Sequence, residues 1–147
     1  MPTELEDRME IQHLAQVYAD GVMQRDVELW GNTFSKDGAW ALPGMEKPLQ
    51  GHDVLKPTWS RIMEGYPHVL HFVQPGVITI NGDTAKARFY VQENIKDAKG
   101  EMSRTVGVYN DDLVRENGKW KFKFRKFDVL YRGPYDLTGN FMDYPKG

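Results

Sequence analysis

The chain has 147 residues, a formal net charge of -2 at neutral pH and no cysteine. That length suits one domain around one core, and the absent cysteines exclude disulfides and thiolate chemistry. Lys and Arg are scattered, leaving no basic face for nucleic acid, and no apolar run reaches the roughly eighteen residues of a membrane-spanning helix. The acidic opening MPTELEDRMEIQHL lacks the layout of a secretory leader, so the cytoplasm is the expected compartment.

Residues 4 to 24 carry Ile11, Leu14, Ala15, Tyr18 and Val22 at one-face helical spacing, with Thr3 as the expected N-cap. A second helix is expected over residues 26 to 34, capped by Asp26. Ser35-Lys36-Asp37-Gly38 reads as a turn and residues 39 to 42 as a short strand. Residues 51 to 65 show a third helical pattern, with Val54, Leu55, Trp59, Ile62 and Met63 apolar. Strands follow over residues 68 to 73 and 76 to 80, then 84 to 95, 102 to 115 and 120 to 131. Asn81-Gly82 and Asn117-Gly118 are their hairpin turns. Helices in one block and antiparallel strands in another predict a single α+β domain over residues 1 to 147, with three helices on one face of a curved sheet. Aromatic residues make up 12% of the chain, which suits either a core of large rings or a pocket walled by ring faces.

The stretches IQHLAQVYADGVMQRDVELWGNTFSKDGAW, Gly51-His52, PHVLHFVQPGVITINGDTA and ENGKWKFKFRKFDVLY occur in an order and spacing that resembles the SnoaL-like branch of the NTF2-like superfamily. That group includes polyketide cyclases, scytalone dehydratase, bile-acid dehydratase and a dehydrochlorinase. The resemblance spans about residues 8 to 132. It implies a cone: three N-terminal helices packed on a strongly curved, mostly antiparallel sheet that encloses a pocket. It also implies cofactor-free chemistry, a small apolar or aromatic molecule as partner, and a homodimer or homotrimer. The tail aromatics Tyr135, Phe141 and Tyr144 point the same way, being more apolar than a free tail requires.

The resemblance places the family's histidine base at His71, a pocket tyrosine at Tyr18 and a pocket arginine at Arg125. Trp40, Val91, Tyr109 and Phe127 correspond to positions that line the family's pocket. The family's aspartate, which pairs with the histidine, falls at Met23. A thioether cannot orient an imidazolium, so His71 either has another partner or serves a protein that only binds. Each residue also has a structural reading. A histidine between Leu70 and Phe72 suits a satisfied core position, a tyrosine on a helix's apolar face suits the core, and an arginine near Lys121 and Lys123 suits the surface. For a pocket-facing Arg125, Glu93 is the expected counter-charge. Two histidines three apart in a strand point to opposite faces, so His68 and His71 make no metal site. The expected activity is elimination of water or another small fragment from an apolar, aromatic or polycyclic alcohol or ketone. His71 is the base, with Tyr18 and Arg125 as donors. An isomerase or cyclase using the same proton abstraction, or a non-catalytic binder, is the alternative.

Overall fold

The computed structural model describes residues 1–147 except Leu137, Tyr144 and Gly147. Helix α1 (Glu4–Gln24) starts at its expected cap. The Thr3 hydroxyl accepts from the Glu6 N–H, and the Glu6 carboxylate accepts from the Thr3 N–H. This reciprocal pair satisfies two donors that a helix start leaves open. Ile11, Ala15, Tyr18 and Val22 form its buried stripe. Asp26 then caps helix α2 (Val27–Gly31) by accepting from the Leu29 N–H at 3.0 Å. The two helices cross at Gly21, where a Cβ would stand 2.8 Å from the Trp30 backbone nitrogen.

The chain departs from the sequence expectation just after α2. That helix ends at Gly31, and Ser35-Lys36-Asp37-Gly38 is a bulge inside strand β1 (Phe34–Ala41). Phe34 pairs with Phe122 and Ala39 with Phe124, so residues 35 to 38 stand opposite Lys123 alone. Buried Phe34 and Trp40 anchor the strand on both sides of the bulge, and those anchors override the turn chemistry between them. Gly38 is required there, because a Cβ would lie 2.8 Å from the Phe122 carbonyl oxygen.

A two-residue strand, β2 (Leu49–Gln50), pairs with β1 and has no sequence signature. Helix α3 (His52–Glu64) and strands β3 (His68–Val73), β4 (Val77–Asn81), β5 (Thr84–Lys96), β6 (Met102–Glu116) and β7 (Lys119–Pro134) follow close to their expected ranges. The strands form one open mixed sheet in the order β2-β1-β7-β6-β5-β3, with β4 also paired to β5. β1 and β7 run parallel, and the other pairs are antiparallel. Trp30, Phe34, Phe89, Trp120 and Phe122 are almost fully buried between sheet and helices. Burying a side chain of this size contributes about 1.5–3 kcal/mol.

One buried carboxylate ties the start of α1 to the sheet. Asp7 accepts two bonds from the Arg115 guanidinium, at 2.9 and 3.0 Å, and one from the Trp120 indole at 3.0 Å. The bonds from Arg115, then that from Trp120, hold the Asp7 carboxyl below its ordinary 3.8. A carboxyl depressed on folding adds stability that is fully present above its unfolded pKa and is lost as pH falls through the folded one. Asp7→Asn is therefore expected to be less stable than the native chain at pH 6. The gap should narrow as pH falls below 3.8, as read by urea melts of both proteins across that range.

Beyond β7 the tail returns across the sheet face opposite His71. Tyr135 lies against the Arg104 guanidinium, 3.7 Å from its ring centroid, and Phe141 stacks on His68 at 4.4 Å. Those two rings are covered by their own chain, and Tyr144 lies outside the described residues. Among the described residues no helix is long and apolar enough to cross a membrane.

Candidate active site

Two β-bulges in β7 decide which of its side chains face inward. Leu113 pairs with Phe122 and Asp112 with Phe124, which leaves Lys123 as the extra residue. The inward set therefore changes from Trp120 and Phe122 to Arg125 and Phe127, all of them buried. Gly107 pairs with Val129 and Val106 with Tyr131, so Leu130 is the second extra residue. That shift turns Arg132 to the inner face beside Thr105. An extra residue moves every later side chain to the other face.

A cavity of about 250 Å³ lies between this inner face and helices α1 and α3. Tyr18 of α1, Trp40 of β1, His71 of β3, Glu93 of β5, Tyr109 of β6 and Phe127 of β7 all line it. The aromatic excess thus serves both purposes, with one set of rings in the core and another in the pocket wall. Gly107 lets the Phe127 ring lie flat on β6, since a Cβ there would come within 2.3 Å of the ring. The Trp40 indole N–H is buried and meets no acceptor among the described residues.

His71 is 2% exposed. It pairs in register with Glu93 across β3 and β5, and its Nδ1 stands 3.2 Å from Glu93 Oε1. A carboxylate at Nδ1 favours the tautomer with its proton on that nitrogen and leaves the Nε2 lone pair free. The Tyr18 and Tyr109 rings flank the imidazole, with centroids 5.8 and 6.4 Å away, and their hydroxyls are 3.1 Å apart. Burial pushes the Tyr109 hydroxyl well above its ordinary value, with further push from Tyr18 and Glu93. Burial also raises Tyr18, against the pull of Arg125. Both hydroxyls are therefore protonated at neutral pH. One donates to the other, and the second proton is left for another acceptor.

Arg125 is buried behind these rings and does not line the cavity. Its counter-charge is Asp111, not the expected Glu93. Nε and Nη2 donate to the two Asp111 oxygens at 2.9 and 3.0 Å. The two residues pair in register across β6 and β7, which sets this choice. The guanidinium lies 3.9 Å from the Tyr109 and Phe122 ring centroids and 4.3 Å from that of Tyr18. It is a buried cation stacked beneath the tyrosines.

The SnoaL-like domain model matches residues 3–126 of this chain. This chain belongs to the SnoaL-like family. Its fold is the family's cone, and solved structures of similar shape agree. A Novosphingobium aromaticivorans protein assigned as an aromatic ring hydroxylase is 25% identical, with 91% of this chain and 96% of that chain covered at a TM-score of 0.82. A second protein from that organism, assigned as a scytalone dehydratase, is 21% identical over 90% of each chain, with a TM-score of 0.80. The hexachlorocyclohexane dehydrochlorinase LinA type 2 is 18% identical over 97% of this chain and 96% of its own, with a TM-score of 0.82. No curated protein sequence matches this chain.

Within this SnoaL-like fold the other expected site residues are spread out. Met23, at the family aspartate's place, lines a groove on the outside of α1 with Val17, Asp20 and Leu29. The far side of His71 borders the same groove. Val91 is buried in the core next to the pocket and is not part of its wall. The cavity adds residues that the sequence did not suggest for the site. Trp59, Ile62 and Met63 close it from α3, and Thr105 and Arg132 face it from the sheet. The α3 residues were legible as an apolar face. Arg132 was not, because its direction depends on the bulge at Leu130. Among the described residues no cluster of three His, Asp or Glu side chains is placed to hold a metal ion.

Proposed function

We propose that this SnoaL-like protein is a cofactor-free lyase acting on a small ring-bearing alcohol or ketone. The observation that carries the reading is buried His71 paired with half-buried Glu93, 3.2 Å apart, at the wall of a largely apolar cavity. Nε2 of His71 takes a proton from carbon, and the C–H electrons form the new double bond. Hydroxide, or another small group, leaves with the electrons of its bond to carbon and takes up a proton, so the products are an alkene and water. Glu93 holds the imidazole and offsets the charge it gains. The Tyr18–Tyr109 hydroxyl pair supplies the donor for the developing negative oxygen, and Arg125 acts through their rings. The dehydratase and dehydrochlorinase among the similar structures support the reaction class. A cavity of about 250 Å³ lies just below the drug-sized range, which suits a molecule of one or two rings.

Proton abstraction is testable before the substrate is known. Small cyclic ketones and aromatic alcohols are incubated with the protein in deuterium oxide and followed by NMR. Enzyme-dependent exchange of a C–H next to the carbonyl, or loss of water from the alcohol, supports the lyase. Tight binding with neither event would make the protein a binder instead.

The functional unit is a homodimer or homotrimer on this reading. Support comes from the outer sheet face, where Val77 and Tyr90 are 73% and 46% exposed and line one hollow. Light scattering at micromolar protein is expected to give two or three times the chain mass, and a monomer mass would end the proposal.

A further inference from the structure

A single polar row crosses the inner face of the sheet. His71 pairs in register with Glu93, Glu93 with Thr105, and Thr105 with Arg132. All four line the cavity. Three strand spacings separate the ends of the row, roughly 14 Å between Cα atoms, and both end side chains reach inward from there. The charges along the row are unevenly matched. Glu93 stands at His71 Nδ1. Arg132 has one long contact, from Nε to Thr105 Oγ1 at 3.4 Å, and no ion pair among the described residues. Arg115 and Arg125 hold carboxylates at 2.9 Å, whereas Arg88 and Arg104, like Arg132, bond only neutral side-chain oxygens among the described residues.

The backbone is also arranged around this residue. Without the extra residue Leu130, Arg132 would point to the outer, solvent face. Bulges recur beside functional sites, where they re-aim a side chain, and a merely solvated arginine needs no such device. A guanidinium fork whose two terminal nitrogens have no partner among the described residues, at the rim of the cavity, matches the two oxygens of a carboxylate.

We propose that Arg132 is a specificity residue that binds a carboxylate on the ligand, so that the substrates of this pocket are small ring-bearing carboxylic acids. The carboxylate sits at the Arg132 end of the row, and the carbon that reacts lies toward His71. This rests on the lyase reading for the reacting carbon, but recognition of the carboxylate is read by binding alone.

The test uses a matched pair of probes, 2-naphthoate and 2-naphthamide, titrated at pH 7 by calorimetry. NMR of the His71 ring confirms that they occupy the pocket. A charge-assisted pair predicts that the native chain binds the naphthoate about tenfold or more tightly than the amide. Arg132→Met should erase that preference by weakening naphthoate binding far more than amide binding, and Arg132→Lys should keep part of it. Arg132 is exposed, so these variants should melt like the native chain. Equal binding of the two probes, a preference that survives Arg132→Met, or no binding of either probe overturns the proposal. A preference lost in Arg132→Met, with no elimination from any acid, would leave this inference standing and remove the lyase reading instead.

Discussion

Replacing Arg125 by methionine should destabilise the protein by about 3–5 kcal/mol, because it leaves a buried carboxylate without its counter-charge. Arg125 and Asp111 are 1% and 3% exposed and share two hydrogen bonds. A domain is stable by only about 5–15 kcal/mol in total, so a large share of the native stability should go. The cost comes from the orphaned charge rather than from a lost attraction. The double variant Arg125→Met/Asp111→Leu should therefore recover most of the loss. Urea melts of the three proteins check this, and a double variant no better than the single one would contradict it.

The same pair has a pH signature. Burial pushes the Asp111 carboxyl up, and Arg125 pulls it down. Removing Arg125 leaves burial as the main influence. A carboxyl raised on folding adds stability that is present below its unfolded pKa and lost as pH rises through the folded one. The Arg125→Met protein should therefore weaken as pH rises above the ordinary carboxylate range. Melts that show no such trend would mean that Asp111 has found another partner.

His71→Gln should lower carbon-proton exchange, or elimination, by about 10²–10⁴-fold while leaving ligand binding within a few fold of native. Glutamine keeps a polar group beside Glu93 but has no lone pair basic enough to take the proton. Glu93→Gln should cost less, because the base remains and only its orientation and charge balance suffer. Rates measured with one substrate in deuterium oxide compare the three proteins. Equal rates in native and His71→Gln would assign the proton abstraction to another group. A Glu93→Gln loss as large as that of His71→Gln would show that the imidazole works only in its paired form.

The pairing of His71 with Glu93 also bears on Met23. The resemblance placed the family's carboxylate on α1, where this chain has a thioether. The structure brings a carboxylate to the imidazole from the neighbouring strand instead, through the β3–β5 register. Met23 lines the outer groove that the far side of His71 also borders, and it is not part of the cavity wall.

Much of this was written in local pattern. Thr3 and Asp26 announced their helices, because short polar side chains at a helix start satisfy donors that only nearby residues reach. Apolar spacing fixed the stripe of α1, and the Asn-Gly turns bounded the long strands. The family's motifs then led to His71 and Tyr18, which the structure brings to one cavity. The α+β layout was legible for the same reason, since helix and strand periods act over a few residues, and the resemblance to the SnoaL-like family implied the cone. What the sequence could not determine depends on register. Which carboxylate meets Arg125, which one meets His71, and that Arg132 faces the cavity all depend on pairing between strands distant in the chain. The bulges at Ser35-Lys36-Asp37-Gly38, Lys123 and Leu130 have no local signature strong enough to reveal them. The first two lie between rings, Phe34 and Trp40 on β1 and Phe122 and Phe127 on β7, that must all reach one core, and the backbone between them yields. Burial of those rings outweighs local turn preference, so only the assembled sheet decides where the charges fall.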